Sequence, residues 1–227
     1  MKKVFMILLS IPKILFFNFR YLPISQAYKL PVIISYNTNV SVDGRIRLKS
    51  DVTFGMIVIG FHRVLECNVN DRTVIRIEKE GVMDFCGLAH IGRGSKLFVA
   101  KDSHLSLGDN FSISASSAIS CYHHIEFGKD IQFSWNCLVM DSDTHVILDK
   151  QGIEINKPKP IVFGDKIWIG CNSTILKGSR IPSNCVIGAN SVVTHNVPSF
   201  SFPIGSPAKL IKALKYDVVN YDIQIDN

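Results

Sequence analysis

Apolar residues recur every six positions along the C-terminal half of the chain. From Phe163 onwards the sequence divides into the hexads FGDKIW, IGCNST, ILKGSR, IPSNCV, IGANSV and VTHNVP. The first position of each hexad is aliphatic or aromatic, and the fifth is mostly small or β-branched. A helix repeats its apolar residues every three or four positions, and a simple strand every two. A period of six therefore predicts a solenoid of short parallel strands, in which each hexad forms one side of a triangular coil.

The same period is present upstream, with shifts of register between blocks. Further hexads begin at Ile91, Leu97, Leu107, Ile113, Ile119, Phe127, Phe133 and Val139. Before about residue 90 the period is irregular, although Ile57, Ile59 and Val74 still resemble strand residues. We expect the first-position side chains to point inward, where each buried Ile or Val contributes roughly 1.5–3 kcal/mol. Gly and Asn at the corners would tolerate a left-handed backbone.

The period lapses between Met140 and Gly170, and the lapse opens on His145. Turn and breaker residues follow, namely Gln151-Gly152, Asn156 and the run Lys157-Pro158-Lys159-Pro160. We expect residues 145 to about 160 to leave the solenoid as a loop that shapes a functional site.

The N-terminal segment is apolar with basic edges. Lys2 and Lys3 precede a run from Val4 to Ile11 that is far shorter than the roughly 20 residues of a membrane-spanning helix. Three interpretations stay open: an interfacial amphipathic helix pair interrupted at Pro12, a signal peptide cleaved after Ala27, or a segment packed onto the domain as a cap. We favour the interfacial helix pair, which would bring residues 1–22 into peripheral contact with a membrane.

The C-terminal segment has helical spacing. Leu210, Ile211 and Leu214 predict a helix over Gly205–Tyr221 that closes the solenoid. The expected organisation is an apolar segment over residues 1–30, a catalytic β-helix over 31–204, and a C-terminal helix and tail over 205–227.

Composition narrows the function classes only slightly. The 227 residues are 47% hydrophobic, which suits one large domain or a domain with a small appendage. The formal net charge of +6 favours acidic small molecules, an anionic membrane or nucleic acid without choosing among them. No run of five Lys or Arg residues occurs, so a nucleic-acid surface is disfavoured. The six cysteines form no CxxC pair, which favours reduced thiols over a structural zinc site.

The segment from Ile167 to Leu214 resembles the C-terminal part of hexapeptide-repeat acyltransferases, in particular the branch that O-acetylates sugars, including galactoside, maltose and capsular polysaccharide acetyltransferases. The resemblance covers about residues 107–214 and rests on an ordered set: His145, a loop, then WIG, ILKG, VIGANSVVT and GSPAK. It implies an all-β fold, a left-handed parallel β-helix, and a homotrimer that binds acetyl-CoA in the groove between two neighbouring prisms.

Acetyl transfer to a hydroxyl needs a base for the hydroxyl proton and donors for the developing oxyanion. The resemblance identifies His145 as the general base, and the unperturbed pKa of histidine suits that role. Asp143, two residues earlier, would project on the same side of an extended strand and orient the imidazole, although Asp141 or a backbone carbonyl could do so instead. The resemblance implies direct transfer, with neither a covalent acyl-enzyme nor a metal.

The resemblance also supplies candidate acetyl-CoA contacts. These are Trp168 at the pantetheine arm, Cys171, Ala189 and Thr194 along the coenzyme, and Lys209 and Lys212 near its phosphates. One position departs from the family pattern, since His195 follows Thr194 where the family often has Lys. That change weakens phosphate binding at this position or leaves it to the C-terminal lysines.

The expected activity is acetyl-CoA-dependent O-acetylation of a sugar hydroxyl in surface polysaccharide or lipopolysaccharide biosynthesis, in the cytoplasm or at the inner face of the membrane. Non-sugar acceptors such as serine, an amino-sugar nitrogen or an antibiotic remain alternatives. Two further alternatives are a zinc enzyme of the β-helical carbonic anhydrase class, using His90, His123, His124 and His145, and a catalytically silent β-helix scaffold.

Overall fold

Short parallel strands stack on three faces of a triangular prism. The computed structural model describes residues 2–62, 64–68, 70–198, 201–205 and 207–213. Face A holds β1 (Val32–Ile34), β4 (Ile57–Ile59), β7 (Ala89–Ile91), β10 (Phe111–Ala115), β13 (Ile131–Trp135), β16 (Ile167–Ile169) and β19 (Cys185–Ile187). Face B holds β2 (Asn39–Val42), β5 (Val74–Ile77), β8 (Lys96–Val99), β11 (Ala118–Cys121), β14 (Leu138–Met140), β17 (Thr174–Leu176) and β20 (Val192–Val193). Face C holds β3 (Arg45–Leu48), β6 (Val82–Phe85), β9 (His104–Leu107), β12 (His124–Glu126), β15 (Ile161–Phe163) and β18 (Arg180–Ile181).

The chain visits faces A, B and C in turn, so that three consecutive strands make one coil. The first coil is β1 to β3, the fifth is β13 to β15, and the seventh begins with β19 and β20. All pairing between coils is parallel and in register, as in Ile131↔Ile167 and Ile167↔Cys185. The fold is the left-handed parallel β-helix that the resemblance implies.

The interior contains the residues that the hexads place there. Every first-position residue from Phe163 to Val193 is at most 2% exposed, and Ser173, Ser179, Cys185 and Ser191 at the fifth position are fully buried. Phenylalanine side chains fill the core of the middle coils, where the rings of Phe127 and Phe163 stack with centroids 4.4 Å apart. The predicted inward register is confirmed.

Corner residues adopt the left-handed conformation expected of them. Asn136, Asn172, Asn184 and Asn190 have φ between 55° and 60°, where asparagine is tolerated better than most residues. The irregular period before residue 90 has a simple cause, because the corner between β4 and β5 is enlarged to residues 60–73 and the corner between β3 and β4 to residues 49–56.

The N-terminal segment caps the first coil. Helix α1 (Lys2–Tyr21) continues through Pro12, and α2 (Ile24–Ala27) follows as a single turn. The side chain of Asn18 is buried and bonds both the N–H and the C=O of Val32 in β1. Ser10 accepts a hydrogen bond from the N–H of Tyr36 at 2.9 Å. Backbone groups that the end of a solenoid would expose are thereby satisfied, as in the packing interpretation of this segment.

The predicted C-terminal helix is wrong over the residues described. Strands β21 (Ser201–Ile204) and β22 (Lys209–Ala213) form an antiparallel hairpin, and residues 214–221 of the predicted helix lie outside the described chain. The N–H of Val192 donates to Gly205, and the N–H of Ala208 donates to Val192. Hydrogen bonding to the open edge of the last coil therefore stabilises a hairpin in this segment more than the apolar spacing stabilises a helix.

Among the described residues, neither helix has the length and apolarity needed to cross a membrane.

Candidate active site

The loop predicted from the lapse in the hexads leaves the prism at the corner between faces B and C. It runs over residues 141–160, between β14 and β15 of the fifth coil, and is called the site loop below. Asp141 anchors its start, because the fully buried carboxylate accepts hydrogen bonds from the backbone N–H groups of Tyr122, His123 and His124 at 2.7–2.9 Å. At its end, the N–H of Lys159 donates to the carbonyl of Asp141 at 3.0 Å. The base of the site loop is thus tied to the coil below and closed on itself.

His145 lies exposed on the site loop, immediately after Thr144, which has a φ of 62°. Its carbonyl accepts a hydrogen bond of 2.7 Å from the amide group of Asn156. No residue in the described part of the chain forms a hydrogen bond with its imidazole. The ring is therefore accessible to a ligand or to a neighbouring molecule, while the backbone that carries it is fixed.

Asn156 is the hub that fixes this backbone. Its amide nitrogen donates to the carboxylate of Asp143 at 3.0 Å as well as to His145, and its side-chain oxygen accepts from the N–H of Ile147 at 2.7 Å. One asparagine side chain therefore joins both arms of the site loop around His145.

Asp143 pairs with a lysine of the next coil rather than with the imidazole. Lys177 lies just after β17, and its ammonium group bonds both the Asp143 carboxylate and the carbonyl of Asn156, the latter at 2.7 Å. These hydrogen bonds, the one from Lys177 foremost, lower the pKa of Asp143 below its ordinary value. The Lys177 side chain is 18% exposed and the Asp143 side chain 43%, so solvent is largely excluded from the lysine but reaches the carboxylate. Within the described chain, the predicted hydrogen bond between Asp143 and His145 is not formed.

Sequence reasoning missed Lys177 and Asn156. Lys177 was visible only as part of the ILKG segment, and Asn156 only as a turn residue. Neither has a spacing relation to His145, since the contacts arise from the stacking of one coil on the next.

The outer part of the site loop is a small hairpin with an apolar surface. Leu148 and Glu154 form an antiparallel bridge, and Asp149 closes the turn by accepting from the N–H groups of Gln151 and Ile153. Large aliphatic side chains on this hairpin are exposed, namely Val146, Ile147, Leu148, Ile153 and Ile155. Exposed apolar clusters of this kind mark interaction surfaces.

The candidate pantetheine contacts lie on face A and at the corner between faces A and B. Trp168, in β16, points outward as predicted and is 45% exposed, with its indole N–H 3.2 Å from the hydroxyl of Ser134. Cys171 occupies the next corner of the same coil. Ala189 lies one coil above it, where the N–H of Asn190 donates to the carbonyl of Cys171 at 2.9 Å. The structure brings Cys171 and Ala189 together on one edge of the prism.

The candidate phosphate contacts lie at the C-terminal end. His195 and Lys209 line one cavity of about 330 Å³ between the turn after β20 and the start of β22. The hydroxyl of Thr194 lies 3.1 Å from Nδ1 of His195. Lys212 also belongs to β22, but the position of its side chain is not described.

His145 and Cys171 thus occupy two different edges of the prism. Face B separates these edges, and the five steps along the chain from Asn172 to Lys177 span roughly 16 Å at about 3.3 Å per step. Within one chain, the candidate base and the candidate coenzyme contacts at Cys171 and Ala189 therefore lie on separate edges.

The cysteines behave as structural thiols. Cys121, Cys137 and Cys185 are buried, and the six cysteines, all within the described ranges, form no disulfide bond. Burial raises the pKa of the Cys121 thiol strongly, with the nearby Asp141 carboxylate adding to the shift, and burial raises the pKa of Cys137 to about 11. Neither thiol would supply a thiolate nucleophile at neutral pH.

The histidines of the zinc alternative are dispersed. His90 lies on face A and His124 on face C, whereas His123 and His145 lie at the corner between faces B and C in successive coils. Among the residues described, no group of three or more His, Cys, Asp or Glu side chains could hold a metal ion.

Comparisons with known proteins link this architecture to one group of enzymes. Over 186 residues the chain is 26% identical to WbbJ of Escherichia coli K12, named as a lipopolysaccharide biosynthesis O-acetyl transferase, and the match covers 77% of this chain and 90% of WbbJ. It is 30% identical over 128 residues to a protein of Mycobacterium tuberculosis named as an acetyltransferase. The chain is therefore similar in sequence to proteins that are named as acetyltransferases.

Coverage differs among these relatives. The match with the Mycobacterium tuberculosis protein covers 54% of this chain but only 41% of that protein, and matches with Staphylococcus aureus proteins named as acetyltransferases cover 65% of theirs. Among solved structures, the fold is shared with the polySia-specific acetyltransferase NeuO at a TM-score of 0.54 and 24% identity, over 85% of this chain and 89% of NeuO. No protein-family model matches the chain.

Proposed function

We propose that this protein is an acetyl-CoA-dependent O-acetyltransferase that modifies a sugar hydroxyl during the synthesis of a surface glycan. The observation that carries the proposal is the site loop, which holds an accessible imidazole at His145 on a backbone fixed by Asn156. The similarity to WbbJ along 90% of its length supports a glycan acceptor. The alternative acceptors need the same base, since serine offers a hydroxyl group as a sugar does and an amino sugar offers a nitrogen nucleophile.

The reaction follows from the chemistry of a thioester. A ring nitrogen of His145 takes the proton of the acceptor hydroxyl as its oxygen attacks the acetyl carbonyl. The tetrahedral intermediate collapses by breaking the carbon–sulfur bond, and the imidazolium returns the proton to the departing CoA thiolate. The products are the acetyl ester and CoA, with no oxidant, metal or acyl-enzyme required.

The positions of the candidate residues support a site shared by two chains. His145 lies on one edge of the prism and Cys171 and Ala189 on another, so neighbouring prisms packed side by side would bring the two edges together. A ring of three identical chains satisfies this arrangement at every interface. The exposed aliphatic residues of the site-loop hairpin offer a surface that a neighbouring chain would cover.

Asp143 then acts as a positioning residue. Its pair with Lys177 and its bond to Asn156 hold the site loop against the sixth coil. Loss of this pair would move His145 relative to the thioester, and transfer rates are sensitive to such misplacement.

Acetyl-CoA would extend from Trp168 towards the cavity at His195 and Lys209. Lysine and protonated histidine form charge-assisted hydrogen bonds with phosphate oxygens, so this cavity suits the nucleotide end of the coenzyme.

Thiol release from acetyl-CoA tests the proposal. The purified protein would be incubated with acetyl-CoA and a panel of monosaccharides, nucleotide sugars, amino sugars and serine, and CoA release would be measured with a thiol reagent. We expect release that depends on a hydroxyl-bearing sugar, with a mass increase of one acetyl group on that acceptor. Release that depends on serine or on the amine of an amino sugar would support the alternative acceptors, and no acceptor-dependent release would favour the silent scaffold.

A further inference from the structure

Helix α1 has one side that packs against the first coil and another side that exposes apolar residues. The inner side carries Ser10, Ile14, Phe17 and Asn18, all of which are buried against the first coil. The outer side exposes large apolar residues at helical spacing, among them Phe5, Leu8, Leu9, Leu15, Phe16 and Phe19. A cap needs only the inner side, so the outer side calls for a separate explanation.

The hydrogen bonds of the cap fix the direction in which the outer side faces. Asn18 bonds Val32 and Ser10 bonds Tyr36, so α1 runs antiparallel along β1 and across the end of the prism. Its outer side therefore points along the prism axis, away from all seven coils. Turning the helix to cross a bilayer would break these buried hydrogen bonds.

The positive charge of the N-terminal end of the chain favours an anionic partner for the outer side of α1. The first 42 residues include five basic side chains (Lys2, Lys3, Lys13, Arg20 and Lys29) and no Asp or Glu. Lys13 is committed to the cap, because its ammonium group bonds the carbonyls of Tyr36 and Thr38. Arg20 and Lys29 are exposed. A second copy of the same basic, apolar surface would be repelled, whereas an anionic lipid surface would be attracted.

We infer that the outer side of α1 is a docking surface for an anionic membrane, on which the helix lies flat and the prism stands on end. The apolar residues would enter the headgroup and acyl boundary while Arg20 and Lys29 meet lipid phosphates. This assigns cap and membrane contact to opposite sides of one helix, and Lys13 belongs to the cap.

The orientation also sets the height of the candidate active site. The fifth coil lies four coil spacings above the first, about 19 Å at roughly 4.8 Å per spacing. An acceptor glycan that is linked to lipid would reach His145 through its outer sugars. This consequence rests on the proposed function, but the docking surface does not.

Flotation of the full-length protein with lipid vesicles tests the docking surface without any use of activity. Vesicles of phosphatidylcholine with phosphatidylglycerol would be compared with vesicles of phosphatidylcholine alone. We expect the protein to float with the anionic vesicles, to float much less with the neutral ones, and to be released as salt is raised.

Two variants distinguish binding through the outer side of α1 from nonspecific binding to vesicles. Phe5→Ser with Phe16→Ser should abolish flotation, whereas Leu65→Ser, at a residue 96% exposed in the enlarged corner of the second coil, should leave it unchanged. Unchanged thermal unfolding would show that each variant retains the fold. Failure of the native protein to float, or equal flotation of the double variant, would overturn the inference. A fall in the solution mass of the double variant by light scattering would instead assign this side of α1 to a second copy and would also overturn it.

Discussion

The ammonium group of Lys177 is hydrogen-bonded to the carboxylate of Asp143, and this contact joins the site loop of the fifth coil to the corner of the sixth. The same lysine reaches the carbonyl of Asn156, whose side chain holds the carbonyl of His145. A charged side chain of one coil is thereby linked, through Asn156, to the backbone of His145 in another coil. The lysine end of the pair is shielded from water, whereas the Asp143 carboxylate is exposed, so the geometry of the contact matters here more than its strength.

Replacing Lys177 should therefore impair transfer without impairing folding. In Lys177→Met the site loop loses its link to the sixth coil, and kcat should fall by roughly 10- to 100-fold, with little change in the KM for acetyl-CoA. The matched control is Lys150→Met, at an exposed residue of the hairpin turn that should have native kinetics. Native turnover in Lys177→Met would contradict the positioning role of the pair.

Much of the fold was predictable because the hexad period directly reflects packing in the prism. Each inward position from Phe163 to Val193 could be read from the sequence alone. The contacts around His145 were not predictable, since Lys177 lies 32 residues beyond it and meets the site loop only through the stacking of coils. The C-terminal hairpin escaped prediction for a related reason, because Leu210 and Ile211 suit a helix as well as a strand and the open edge of the seventh coil decides between them.

A shared site predicts that two inactive variants restore each other. His145→Ala removes the base and Ala189→Glu blocks the coenzyme edge, so each homotrimer should be inactive. When the two are unfolded together and refolded, about a quarter of the sites should combine an intact His145 with an intact Ala189 from a neighbour. Recovery of activity in the mixture, measured by CoA release, would support the shared site. A mixture that stays inactive, although both variants form mixed trimers, would place both residues of a working site on one chain.

Stability should depend on pH through His90. This residue of β7 has a buried Nδ1 without a partner among the described residues, and burial, with His62 nearby, lowers its pKa from 6.5 to about 4. Between these values the unfolded chain binds a proton that the folded chain does not, so stability falls as pH falls from about 6.5 to about 4.

Thermal unfolding of His90→Gln checks this effect. The variant should show a flatter dependence of Tm on pH across that window than the native protein, whereas His123→Gln, at an exposed histidine, should not. An unchanged slope in His90→Gln would show that His90 does not control the acid sensitivity.

The C-terminal lysines should act on the coenzyme phosphates. Lys209→Glu combined with Lys212→Glu should raise the KM for acetyl-CoA far more than the KM for the acceptor, because an attractive pair becomes a repulsive one. Acetyl-pantetheine lacks these phosphates and should be used equally well by the variant and the native protein. Equal losses with both donors would indicate that the lysines support the β21–β22 hairpin instead.

The most direct test of the proposed function is the rate of acceptor-dependent CoA release by His145→Gln. The substitution removes the base while leaving the carbonyl of residue 145 bonded to Asn156, so the site loop should keep its shape. We expect kcat/KM to fall by a factor on the order of 10²–10⁴, the usual contribution of a positioned general base, while binding of acetyl-CoA stays unchanged. Near-native turnover in this variant would contradict the assignment of His145 and the mechanism built on it.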